Sequence, residues 1–136
     1  MKSVFKYFVF SFLVLSIFQA SAQSVVLKDE QLKSAEVNIL HNLDSDVNGI
    51  VESTLFGIML MKKYYPDQDY TEMKNEVYLL SSEGSTAEIR LKAQLTAMYL
   101  DFTGWFSDVD FADKDNPHKY FAKISERIQT NLLTSN

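Results

Sequence analysis

The stretch 44-DSDVNGIVES-53 sets Asp44, Asp46, Asn48, Gly49 and Val51 at the first, third, fifth, sixth and eighth places of a calcium-binding loop, with Glu52 at the ninth. Such a loop offers oxygen donors in that order, a glycine at its sharp turn, and a bidentate glutamate at the twelfth place. Here the twelfth residue is Leu55, so the ligand that supplies two coordinating oxygens is missing. Asp44, Asp46, Asn48 and Glu52 therefore form an incomplete cation set. The same residue types also suit a helix start, where Asp and Ser accept from free backbone N–H groups and favour the positive end of the dipole. The sequence predicts that second role.

Other chemistry is scarcer. Asp101, Asp108, Asp110, Asp113 and Asp115 follow no defined ligand spacing, and His41 and His118 lack a paired partner of the HExxH kind. No cysteine is present, so a thiol nucleophile is excluded, and no serine stands in a GxSxG turn. Glu76 with Glu83, or Glu52 with Glu88, are the carboxylate pairs available for acid–base work, and nothing around them in sequence points to a raised pKa. No catalytic residue, metal or cofactor is assigned, and the chain is expected to be non-enzymatic. Aromatic residues are the stronger lead. Tyr64 and Tyr65 precede Pro66, and Trp105 and Phe106 follow Gly104, all at expected helix ends. Exposed aromatics are what binding surfaces use. These four are the expected interaction patch.

The first residues read as an export leader. Lys2 and Lys6 precede an apolar run from Tyr7 to Phe18, and Ala20-Ser21-Ala22 supplies the small residues of a cleavage site. The run is too short to span a bilayer, which takes about 20 residues. Cleavage is expected after Ala22, placing a single all-helical domain over 23–136 in a bacterial periplasm or outside the cell. Without Lys2 and Lys6 the 13 basic residues fall to 11 against 18 acidic ones, a net of −7. That charge repels phosphate backbones, so a nucleic-acid partner is excluded. No basic amphipathic face suggests membrane binding, and no insertion is expected after cleavage.

The positioning elements follow from the spacing of apolar residues. Steps of three and four predict helices over about 28–43, 47–64, 70–82, 86–101 and 117–133. The second, apolar around most of its circumference, is expected to be central. Asp69–Glu72 and Ser85–Glu88 have capping-box spacing, Gly84 suits a left-handed helix end, and Asn116-Pro117 suits an N-cap followed by proline. Residues 102–115 mix aromatics and aspartates without a period and read as a loop pinned by its aromatics.

A shift of 39 residues lays Ile50 on Ile89, Thr54 on Ala93, Ile58 on Ala97 and Met61 on Leu100. Each row follows a weaker amphipathic helix and a polar turn, the pattern of helical repeats. The run 86-TAEIRLKAQLTAMYL-100 resembles the second helix of a HEAT-type repeat, with Ile89-Arg90 before the small residue Ala93. In 47-VNGIVESTLFGIML-60, Val51 and Thr54 replace the arginine and the alanine. The resemblance covers about residues 29–102. It implies an all-α, short right-handed solenoid of two HEAT-like helix pairs plus a C-terminal helix, presenting a surface to a protein partner. A compact five-helix bundle is the alternative architecture. A small calcium- or ligand-binding module on the 44–52 loop is the alternative function. The partner's identity, and pairing into a homodimer that buries the solenoid ends, stay open.

Overall fold

The computed structural model of the chain describes residues 29–111 and 116–135. The expected leader, 1–22, lies outside the described residues, as do Asp113 and Asp115. The chain divides into two compact units, Met1–Leu32 and Lys33–Asn136, and the account below concerns the second. The described residues form five α-helices and no strand: α1 (Asp29–Leu43), α2 (Asn48–Tyr64), α3 (Thr71–Glu83), α4 (Ala87–Asp101) and α5 (Pro117–Thr134), with a 3-10 helix at Thr103–Phe106. The fold is all-α, as the apolar spacing predicts. Each helix bound lies within a residue of its expected position.

The caps are less regular than the motifs suggest. At α4 the capping residue is Thr86, whose Oγ1 accepts from the Ile89 N–H at 3.1 Å, one residue later than the Ser85–Glu88 box implies. Asn116 caps α5 with Pro117 in the first turn, as expected. At α3 the N-cap is Tyr70, while Asp69 Oδ1 accepts from both the N–H and the hydroxyl of Thr71. The α2 start has no side-chain cap at Val47; Ser45 Oγ instead accepts from the Val47 N–H at 3.1 Å. The acidic loop before α2 therefore does not cap it.

Gly84 ends α3 with φ −54° and ψ 145°, an extended conformation open to any residue rather than the expected left-handed one. Its requirement for glycine is space. A Cβ at this point meets the Leu80 carbonyl oxygen at 2.6 Å and Ile89 Cγ2 at 2.9 Å. The Gly84 carbonyl accepts from an Arg90 guanidinium nitrogen at 2.7 Å, tying the turn to the helix it launches.

Packing centres on α4, which touches α2, α3, α5 and the 3-10 helix. The expected centre was α2; α4 takes that place because Ile89, Lys92, Ala93, Leu95, Thr96, Ala97 and Tyr99 bury its circumference on several sides. The small residues Ala93 and Ala97 let neighbouring helices approach closely. Helix α3 runs antiparallel to α4, since Lys74 and Tyr78 both reach Asp101 at its far end. Helix α2 runs parallel to α4: Ser85 Oγ meets Asn48 Oδ1 at 2.7 Å, and Lys92 Nζ meets Glu52 at 2.8 Å. Of the four rows of the 39-residue shift, Thr54/Ala93 and Ile58/Ala97 are buried pairs and Met61/Leu100 is a half-buried one. The first row breaks, with Ile50 exposed and Ile89 buried.

The segment after α4 is held by aromatic contacts. Phe111 stacks on Tyr120 at 5.0 Å, Tyr120 on Phe56 at 5.1 Å, and Tyr99 meets the edge of Phe111 at 5.9 Å. Phe106 lies against Tyr99 at 5.2 Å. Such pairs add about 0.5–1.5 kcal/mol each beyond simple burial. Lys63 of α2 donates to the Val109 carbonyl at 2.6 Å, so polar contacts hold the same segment.

Two glycine substitutions should move stability in opposite directions. Gly84→Ala forces a methyl group into the Leu80 carbonyl and should cost about 1–3 kcal/mol. Gly57→Ala, inside α2 with nothing within 4 Å of the new Cβ, should gain about 0.5–1 kcal/mol from reduced unfolded-state entropy. Urea unfolding of both variants measures the contrast.

Candidate functional site

Lys92 sits on the face of α4 that α2 and α5 cover, and only 5 % of it is exposed. A buried ammonium requires partners, because desolvation of an isolated charge costs several kcal/mol. Three side chains from three helices provide them. Glu52 of α2 accepts at 2.8 Å, Glu88 of α4 accepts at 2.6 Å, and His118 Nδ1 of α5 lies at 3.2 Å. The Phe121 ring lies 5.6 Å from the same nitrogen. Burial works against the charged form, but hydrogen bonds donated to Glu52 and Glu88 outweigh it and hold the Lys92 pKa above its ordinary value. The Lys92 bond holds the Glu88 carboxyl below the usual range. Lys92 is thus a fixed cation, unsuited to act as a base or nucleophile.

The site has local causes. Glu88 and Lys92 stand one helical turn apart, the spacing that brings opposite charges together on a helix. Pro117 and the Asn116 cap start α5 where its second residue, His118, reaches the pair. The carboxylate pair Glu52 and Glu88 is brought together, though around a cation rather than a substrate.

A second arrangement lies at the C-terminal end of α4. Asp101 takes Lys74 and the Tyr78 hydroxyl, both from α3. Beside it Phe102, 44 % exposed, stacks on Trp105 at 4.5 Å with an interplanar angle of 15°. Tyr78 and Leu79 of α3 are also exposed. The Phe102–Trp105 stack thus begins one residue after Asp101, the carboxylate that holds Lys74 and Tyr78. Burial raises the Asp101 carboxyl, but hydrogen bonds from Lys74 and Tyr78 outweigh it and leave the pKa lowered.

The expected patch residues differ in exposure. Tyr64 is 56 % exposed at the end of α2. Tyr65 is half-buried, and its carbonyl accepts from the Tyr70 hydroxyl at 2.8 Å. Trp105 is half-buried under Phe102. Phe106 is only 2 % exposed and belongs to the core, since the 3-10 turn directs it onto Tyr99. It therefore offers no contact surface. Phe102, read from sequence only as the start of a loop, takes its place.

The four cation candidates separate. Asp44 lines a groove of about 380 Å³ with Leu40, Glu72, Asn75 and Glu76. Asp46 is exposed in the α1–α2 turn. Asn48 accepts from Ser85, and Glu52 is engaged by Lys92. Asn48 and Gly49 are already helical, so no loop wraps a cation there. Comparison with protein-family models, curated proteins and solved structures returns no match.

Both ion clusters should weaken in acid. Glu88 and Asp101 are held below their unfolded values, so the folded chain binds fewer protons than the unfolded one. Their stabilisation is complete above the unfolded carboxylate range near about 4 and is lost as pH falls through the folded values. Urea midpoints should drop as pH falls below about 5, and Asp101→Asn should flatten part of that drop. Equal slopes in the two proteins would show that Asp101 contributes nothing. At neutral pH, Lys92→Ala should cost about 1–3 kcal/mol by leaving the half-buried Glu52 without its partner, and Glu88→Gln less because Glu88 faces water. Urea unfolding of the two variants checks the order.

Proposed function

We propose that this chain is an exported, non-enzymatic helical scaffold that binds a protein partner through the aromatic surface of Tyr78, Phe102 and Trp105. The observation that carries the reading is the exposed Phe102–Trp105 stack beside the Lys74–Asp101–Tyr78 cluster. Rigid, exposed aromatics bind at low entropic cost, and hot spots concentrate in such residues. Tyr64 extends the same reading, because the parallel course of α2 and α4 brings its end of α2 toward the end of α4. The reading of α2 and α4 as equivalent helices of a HEAT-like repeat is supported by cross-helix bonds at separations of 37 and 40 residues, close to the 39-residue shift. Export rests on the leader at residues 1–22.

The test is a photo-crosslinking residue placed at position 102 of the full chain, in the cells that produce it, with position 129 on α5 as control. A discrete protein adduct from position 102 and none from position 129 supports the surface. Equal labelling from both positions, or none from position 102, overturns it. Calcium separates the alternative module: melting should be the same with calcium and with chelator. A calcium-dependent rise that disappears in Asp44→Ala would favour the module.

A further inference from the structure

Glu52, Glu88 and His118 each direct one donor atom into the same small volume, all within 4.8 Å of one another. An imidazole with carboxylate oxygens can hold a zinc-class divalent ion, and catalytic zinc sites use three protein ligands drawn from His, Glu and Cys. The donors come from three separate helices, so the fold assembles them without a dedicated loop. The Lys92 ammonium stands among them, at 2.8, 2.6 and 3.2 Å. It takes the place a metal ion would occupy. With two carboxylates against one ammonium, the cluster keeps a net negative charge that a divalent ion would balance in full. Glu88 and His118 are well exposed, with side-chain exposures of 59 % and 68 %, and can close toward an ion by the few tenths of an ångström to an ångström that metal bonds near about 2.1 Å require.

We infer that Glu52, Glu88 and His118 form a latent zinc-class metal site that the Lys92 side chain keeps closed, its ammonium serving as the resident cation. The charge on Lys92, rather than any shortage of ligands, sets the metal preference of this cluster. Exchange of the lysine for a neutral side chain of similar length opens the site, and metal then restores the cross-helix link that the ammonium made.

The test uses the full chain with zinc chloride as probe and melting temperature as readout. Lys92→Met should melt below the wild type in chelator and recover by about 5 °C or more in excess zinc. The wild type should shift by no more than a degree or so at the same concentration. The gain should vanish when His118→Ala or Glu52→Gln is added to Lys92→Met. Lys92→Gln, whose amide still donates to the glutamates, is the second variant if Lys92→Met does not fold in chelator. It should show the same gain in zinc, and cobalt should give it visible absorbance. No zinc-dependent gain in a folded Lys92 variant, or a gain that survives loss of His118 and of Glu52, overturns the inference. So does tight zinc binding by the wild type, because the ammonium would then be no barrier.

Discussion

A lysine ammonium held out of water sets the terms for much of this fold. Lys92 has to find anions within its reach, and two of its three polar partners lie on other helices. Glu52 fixes the face that α2 turns toward α4, and His118 fixes the start of α5. The interaction acts less as a source of net stability than as a registry device. Desolvation consumes most of the attraction of a buried pair, yet a wrong alignment leaves an uncompensated charge inside. A slip of α2 by one turn would remove Glu52 from Lys92 and Asn48 from Ser85 together. The aromatic cluster around Phe111 then completes the packing at the other end, where Lys63 holds the same segment through the Val109 carbonyl.

Helices were the most legible feature because apolar residues repeat at helical spacing regardless of what they pack against. The Asn116 cap was legible in register, but that of α4 only in type: Thr86 and Ser85 offer similar hydroxyls, and only the backbone conformation decides which one caps. Gly84 was recognised as special for the wrong reason, since tight packing against Leu80 and Ile89 depends on how α3 meets α4. The central role of α4 was hidden because composition reports how apolar a helix is, not how many neighbours cover it. Small residues such as Ala93 and Ala97 make α4 look modest in hydrophobicity while allowing close approach from several sides.

The candidate site was barely legible. Glu88 and Lys92 carry a visible helical spacing, but Glu52 lies 40 residues from Lys92 and His118 lies 26 away, so only the fold joins them. The calcium-like series at 44–52 was the reverse case, a tight pattern in sequence that the helix start at Asn48 pulls apart in space. The aromatic segment fails for a third reason. Without a period, spacing gives no means to sort Phe102, Trp105 and Phe106 into surface and core. The 3-10 turn makes that division by rotating Phe106 inward.

The way α4 pairs with its neighbours also has a consequence for the order of assembly. Helices α3 and α4 are consecutive and joined by a three-residue turn, so their pairing closes almost no loop. The union of α2 with α4 closes loops of 37 and 40 residues, at an entropic cost that a helical hairpin avoids. The α3–α4 hairpin is the natural nucleus, with α2 and the Phe111 segment condensing onto it afterwards. Substitutions at Ile89 should then slow folding, whereas substitutions at Val51 should mainly speed unfolding. Gly84, at the corner of that hairpin, becomes a determinant of how fast the chain folds as well as how firmly it stays folded.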